Sequence, residues 1–307
     1  MEFNIVEEND IKIEGLIDKK QVASCTCFYK RTPLELDEHV GCIGDLVADD
    51  IEYGIMLIEK ATEVLEEKGV KVIYGPMNGT TWNQYRCLKY TNNEPEFLLE
   101  KVGSIDQNDM FKDAGFNLCY EYLSTKGKIK DAYTSDFLDE LKNELEDNGI
   151  FIRNFNKENA EQDLKSIFKV AMYGFSHNPL YTDIPEEMFI KQYSQYIGSC
   201  DEDFILIAEK EDKVIGFLFA MPDYNEVQIL GKKKPETLIL KTIAVLPEYE
   251  NYSIGSSMLD MIRKKAIEKK YKNWIFAFMY KNNTSTRMSK RNNTYLLREY
   301  ALYKKEL

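Results

Sequence analysis

The chain is poor in the residues that build metal centres and nucleic-acid interfaces. Its 307 residues include two histidines, His39 and His177, far apart in sequence, and six cysteines. Those cysteines, Cys25, Cys27, Cys42, Cys87, Cys119 and Cys200, show no metal-ligand spacing, so a zinc site has little to build on and no metal is expected. They read as buried free thiols, with Cys25 and Cys27 on one side of a single strand. No stretch approaches the roughly 18 apolar residues of a membrane span, which leaves no membrane partner to expect. The start, Met1 to Glu8, lacks the basic and apolar run of an export signal, so the expected location is cytoplasmic. Cations are also short, with 40 Lys and Arg against 52 Asp and Glu, a formal charge of −12. Such a surface repels nucleic-acid phosphates and mildly favours cationic small molecules such as amines.

A hydrophobic share of 44% over 307 residues supplies two cores, because one core seldom grows much beyond roughly 250 residues. The expected fold is mixed α/β (α+β), as two domains of mixed sheet, residues 1–147 and 148–307. In the first, 11–17 and 22–29 form a hairpin turned at 18–20, and 40–47 a third strand. A helix follows over 51–68, with Ile55, Leu57, Ile58, Ala61, Val64 and Leu65 at helical spacing and Gly69 as its stop. Residues 70–74 are then a strand, 90–95 a loop, 118–123 a last strand and 134–146 a bridging helix. The second half reads as a strand at 149–155, helices at 157–173 and 185–197, and a hairpin of 204–209 with 214–221. A strand at 237–245, a helix whose first turn contains Ile254, Gly255 and Ser256, a strand at 273–279, a short helix opened by Asn282 or Asn283 and a last strand complete it.

The junction from Leu246 to Ser256 is the most telling stretch. An apolar strand breaks at Pro247 and a helix opens at Ile254, Gly255 and Ser256. Free amides at a helix start, aided by the helix dipole, bind phosphate groups, and Gly255 lets a ligand come close. These residues resemble the acyl-CoA pyrophosphate loop of the GCN5-related N-acetyltransferase (GNAT) family. Val245, Pro247 and Gly255 fit its pattern, Glu250 stands where Arg or Gln is usual and Ser253 replaces the first Gly. The order of elements over 148–307 is also that of the family. Residues 1–147 look like a second, degenerate copy in tandem, and Gly75 to Asn78 is similar to a segment of tandem GNAT relatives. There Asp49, Asp50 and Glu52 surround the helix start, so that copy is expected not to bind CoA.

The resemblance implies an acetyl-CoA-dependent N-acetyltransferase, with acetyl-CoA as donor and a small amine or amino-acid-like acceptor. It places cofactor contacts at Ile243, Ala244, Val245, Glu250, Asn251, Tyr252, Ser253, Ile254, Gly255 and Ser256, with Asn282 and Ser285 meeting the pantetheine arm. The tyrosine that many members carry as general acid falls at Ser289 here. Tyr280, Glu236 and His177 are the substitute proton-transfer candidates, His177 through its ordinary pKa near 6.5. Arg287, Lys290 and Arg291 suit either a CoA phosphate or a solvated helix face. Trp82, Tyr85 and Arg86 suit either scaffolding or a pocket wall. The competing reading is a non-catalytic ligand-binding or interaction protein of the same fold; acyl transfer from a larger donor such as aminoacyl-tRNA ranks last, for want of a basic surface. A homodimer is left open.

Overall fold

A computed structural model describes residues 1–198 and 200–307, without the side chains of Asp136 and Asp139. The chain opens with β1 (Glu2–Glu7), then β2 (Ile11–Ile17) and β3 (Lys20–Phe28), where buried apolar residues alternate, the short pair β4 (Leu34–Glu35) and β5 (Glu38–His39), and β6 (Gly41–Ala48). Cys25 and Cys27 on β3 are both buried, at 1% and 0% exposure, so they do share the inward face. Helix α1 (Ile51–Glu67) begins where Asp50 Oδ1 accepts the Tyr53 N–H at 2.9 Å, and ends before Gly69, whose φ of +81° is left-handed. It buries Leu57, Ile58, Ala61, Val64 and Leu65. Then come β7 (Val72–Gly75), β8 (Cys87–Thr91), α2 (Gln107–Asp113), β9 (Asn117–Lys128) and α3 (Asp136–Asp147).

The second half runs β10 (Ile150–Asn154), α4 (Ala160–Ser176), α5 (Glu186–Ile197), β11 (Ile205–Lys210), β12 (Lys213–Pro222), α6 (Asn225–Gln228), β13 (Thr237–Val245), α7 (Ile254–Glu268), β14 (Asn273–Tyr280), α8 (Thr284–Arg291) and β15 (Tyr295–Glu306). Strand β1 was not expected, because its mostly exposed edge position leaves no apolar alternation to read. Neither was β8, part of which falls in the 90–95 stretch read as loop, nor the seven-residue α2. Among the described residues no helix is long and apolar enough to cross a membrane.

All strands except β4 and β5 join one sheet, ordered β1-β2-β3-β6-β7-β15-β9-β14-β13-β12-β11-β10, with β8 also paired to β15. Two parallel pairs stand out in a largely antiparallel sheet: β6 with β7 across α1, and β13 with β14 across α7. The 147/148 boundary falls between α3 and β10, yet the sheet runs on across it. The last strand of each half crosses over: β15 pairs with β7, β9 pairs with β14, and the two pair with each other. Four apolar clusters back the sheet. One is built from α3 and α7, one from α1 and α2, and one from α4 and α5; the smallest surrounds Tyr74 and Leu302.

Candidate active site

The parallel strands β13 and β14 pair only from Thr237–Asn273 to Leu240–Phe276, and then separate. Beyond that point Thr242 to Val245 pair with β12 alone, so alternate peptide groups of β13 face the widening gap. The register slips at Lys241, which stands opposite no partner on β12 while Leu240 and Thr242 face Ala220 and Phe219. This bulge re-aims the chain at the mouth of the gap; nothing in the residue types announces it. The Lys241 ammonium lies 5.7 Å from the Tyr193 ring centroid.

At the end of β13 the chain makes a 3-10 turn over Pro247–Tyr252, which carries Glu250, Asn251 and Tyr252. Ser253 follows with a φ of 57°, a left-handed conformation that aims the chain into α7. Among the described residues no side chain caps this helix. The amides of Ser256 and Ser257 both donate to the Ser253 carbonyl, at 3.0 and 3.1 Å. The amides of Ile254 and Gly255 stand before them in the first turn, where a helix lacks internal acceptors. A Cβ on Gly255 would lie 3.3 Å from Ile243 Cδ1 and 3.6 Å from Met288 Cε, so this glycine touches both β13 and α8. Next to this start lies a cavity of about 220 Å³ lined by Ser256, Arg263, Trp274, Arg287 and Arg291. Arg291 is stacked 3.9 Å over the Tyr133 ring, and among the described residues the buried indole N–H of Trp274 has no partner.

At the C-terminal end of β14, Tyr280 packs against the rings of Tyr120 and Tyr122 at 6.1 and 5.6 Å. Asn282 is exposed and Asn283 is the cap of α8, its Oδ1 accepting the Thr284 N–H at 2.6 Å; Ser285 is half-buried in the first turn. Ser289 is fully buried and hydrogen-bonded to the hydroxyls of Thr125 (2.8 Å) and Thr294 (3.0 Å), a structural role. His177 ends α4, exposed, 3.2 Å from Ser176 Oγ and beside the Tyr173 ring. Glu236 stands just before β13, about 30 Å along an extended chain from Val245. Lys272 and Lys232 hold its carboxyl below the usual glutamate range. The structure thus gathers Ile243 to Ser256 with Tyr280, Asn282 and Ser285 around one end of the β13–β14 gap, and keeps Glu236 at the other.

The loop between α4 and α5 is tied to the first half. Trp82 Nε1 donates to the Thr182 carbonyl at 2.7 Å, and its ring meets Phe175 and Phe189 edge-on. In return Gln192 Nε2 donates to the Trp82 carbonyl at 3.2 Å. Tyr181, in that loop, donates to Asp183; burial and this bond push its hydroxyl pKa well up. Of the Trp82, Tyr85 and Arg86 group, Trp82 is therefore a clamp between halves, which only the long-range contacts reveal.

The first half repeats the gap. Strands β6 and β7 pair in parallel only at Gly41–Ile73 and Cys42–Tyr74, and a cavity of about 1030 Å³ lies beside the start of α1. Asp49, Asp50 and Glu52 line it, as does Arg86, which is 8% exposed. Among the described residues no group of three His, Cys, Asp or Glu is placed to hold a metal ion.

Residues 168–293 match the model of the acetyltransferase (GNAT) family. No curated protein matches the chain by sequence. Among solved structures, the glucosamine N-acetyltransferase region of a fungal multi-domain β-N-acetylglucosaminidase is similar with a TM-score of 0.58 at 12% identity. That likeness covers 97% of this chain and 33% of the fungal chain, so the protein spans about a third of it. A GCN5-related N-acetyltransferase from Sphaerobacter thermophilus gives 0.55 at 10% identity, over 97% and 80% of the two chains. A tandem GNAT protein from the clavulanic acid biosynthesis pathway gives 0.54 at 8%, over 97% and 82%. At such identities the likeness is one of fold.

Proposed function

We propose that the chain, whose residues 168–293 match the GNAT-family model, is an N-acetyltransferase that takes acetyl-CoA in its C-terminal half and acts on a small amine or amino-acid-like acceptor. The observation that carries this reading is the pairing of an open strand edge, Thr242 to Val245, with an uncapped helix start at Ser253–Gly255 on the same gap. An extended pantetheine arm adds to the strand edge through peptide hydrogen bonds, and the pyrophosphate sits on the first-turn amides. Arg287 and Arg291 line the neighbouring cavity and suit the ribose phosphate, whereas Arg263 there is paired with Asp260. In the reaction the amine nitrogen bonds to the thioester carbonyl carbon, the C–S bond breaks, the ammonium loses a proton and the CoA thiolate gains one. A backbone N–H of β13 aimed at the developing oxyanion contributes a factor of about 100 or more, and holding both reactants supplies much of the rest.

Tyr280, at the sulfur end of the gap, is the candidate proton donor, and His177, on the acceptor-side loop, the candidate base; Glu236 lies too far along β13 to serve either step. The first half acts as a degenerate tandem copy that braces the acceptor loop through Trp82. Six free cysteines suit a reducing cytoplasm. Equilibrium titration with acetyl-CoA tests the reading: saturable binding by wild type is expected, and no binding at millimolar ligand rejects it.

A second reading, a non-catalytic binding protein of the same fold, draws on Ser289. The side chain at the position of the usual acid is buried and bonded to two threonines. A DTNB assay for released CoA over an amine panel separates the two, because turnover removes this reading.

A further inference from the structure

The cavity beside the start of α1 holds a feature that the acetyl-transfer reading leaves unused. Arg86 is buried at 8% exposure with a φ of 70°. Its main chain is fixed on both sides, the N–H donating to the Pro76 carbonyl at 2.7 Å and the carbonyl accepting the Gly103 N–H at 3.0 Å. Rings surround its guanidinium: centroids of Tyr85, Tyr122, Phe278 and Tyr300 lie 4.0, 4.5, 4.8 and 5.8 Å from the central carbon. Among the described residues, no carboxylate forms an ion pair with it and no acceptor takes a hydrogen bond from its side chain; Nη1 is fully buried without a partner. Glu100, behind Tyr300, is already committed: it accepts the Tyr300 hydroxyl at 2.6 Å and pairs with Arg298 Nε at 3.3 Å. Stacked rings engage a guanidinium through its faces and leave its in-plane N–H groups for a bidentate acceptor. A buried cation without such an acceptor is costly, and an anionic ligand group would supply one.

The rest of the wall sets the ligand's other end. Asp45, Asp49, Asp50, Glu52 and Asp106 also line the cavity, so one cation faces five carboxylates. A polyanion such as CoA is repelled by that field, whereas a single carboxylate carried on a molecule with a positive group is matched at both ends. Gln107, buried in the same wall, gives Nε2 to the Leu46 carbonyl at 2.9 Å, and its Oε1, packed against Gly103, is without a donor among the described residues.

We propose that the cavity beside α1 binds a free amino acid, its carboxylate on Arg86 and its ammonium toward the acidic rim. Two rings of the cage, Phe278 and Tyr300, come from the second half and hold Arg86, while the cavity itself is lined by first-half residues. The inference does not rest on CoA binding by the second half and survives or fails without it.

Isothermal titration of the full chain with each common L-amino acid, and with the decarboxylated amine of each binder, tests this. At least one amino acid is expected to bind one-to-one, its amine at least about tenfold weaker, the scale of a charge-assisted hydrogen bond. Arg86→Lys should weaken binding by about tenfold and Arg86→Gln by more, and acetyl-CoA should not compete. The proposal is overturned if no amino acid saturates wild type up to about 10 mM, if the decarboxylated amine binds equally well, or if folded Arg86→Gln binds like wild type. Competition by acetyl-CoA would likewise overturn it. Should both Arg86 variants fail to fold, the amino acid against amine comparison on wild type decides.

Discussion

Replacing Gly255 by glutamate should separate stability from cofactor binding. The backbone at Gly255 is ordinary helix, so a side chain brings no strain from φ, and its Cβ meets only the far ends of flexible chains, Ile243 Cδ1 at 3.3 Å and Met288 Cε at 3.6 Å. Replacing glycine within a helix gains up to about 1 kcal/mol, and an acid in the first turn adds about 0.3–1 kcal/mol through the dipole. A shift of a few tenths of an ångström in Ile243 offsets part of this, so the variant should unfold in urea at or slightly above the wild-type midpoint. For a pyrophosphate on the same amides the sign is reversed. One added charge at about 4 Å costs between about 1 kcal/mol in bulk-like screening and about 4 kcal/mol near a protein surface. Acetyl-CoA binding should therefore weaken from roughly fivefold to nearly a thousandfold, with Gly255→Ala falling in between. Calorimetric titration and urea unfolding on the same preparations measure both. Binding by a folded Gly255→Glu within about twofold of wild type would refute the placement of the phosphates at α7, and a collapse in stability would refute the packing argument.

Three further outcomes follow from single contacts. Trp82→Phe keeps the ring contacts with Phe175 and Phe189 but removes the bond to the Thr182 carbonyl; it should lower stability by about 1 kcal/mol and raise the acceptor KM more than the acetyl-CoA KM, checked by urea unfolding and steady-state kinetics. Glu226 is buried and accepts bonds from the amides of Glu236 and Thr237, the Thr237 hydroxyl and Lys232. Burial raises its pKa, and these partners together overcome that and leave it below the usual glutamate value. A depressed folded pKa stabilises above the unfolded value, near 4.5, and that stabilisation is lost as pH falls through the folded value. Glu226→Gln should thus cost about 1–3 kcal/mol at pH 7 and flatten the loss of stability below pH ~4.5, read from urea midpoints against pH. Asp50→Ala removes the cap of α1 and should cost about 1 kcal/mol with no change in acetyl-CoA affinity, measured by unfolding and titration.

The second half was the more legible one because its signals are local. Pro247 stops a strand, Ser253 and Gly255 open a helix, and Asn283 caps another, so the β13–α7–β14–α8 order could be read residue by residue. The proton-transfer groups were not legible. Ser289, where the resemblance would put the acid, is a buried hydroxyl, and the candidates Tyr280, His177 and Glu236 are told apart only by where the sheet puts them. Glu236 is nine residues from Val245 in sequence and at the far end of the same strand in space, a separation that extended geometry enforces. Lys241 could not be found at all, since a bulge is a mismatch between two strands and has no signature in either alone.

By itself the sequence determined the α/β class, the strand–helix–strand order through α1 and α7, and the contrast between an acidic helix start at Asp49–Glu52 and a glycine-bearing one at Ile254–Ser256. These follow from spacing, capping and turn chemistry, which act over a few residues. Only the tertiary structure decided that β9 and β15 each cross to the other half, that Trp82 clamps the loop at Thr182, and that Tyr85, Tyr122, Phe278 and Tyr300 close around Arg86. Strand partners are chosen by the packing of whole faces across hundreds of residues, so a buried cation and the rings that hold it come together only once the sheet is complete.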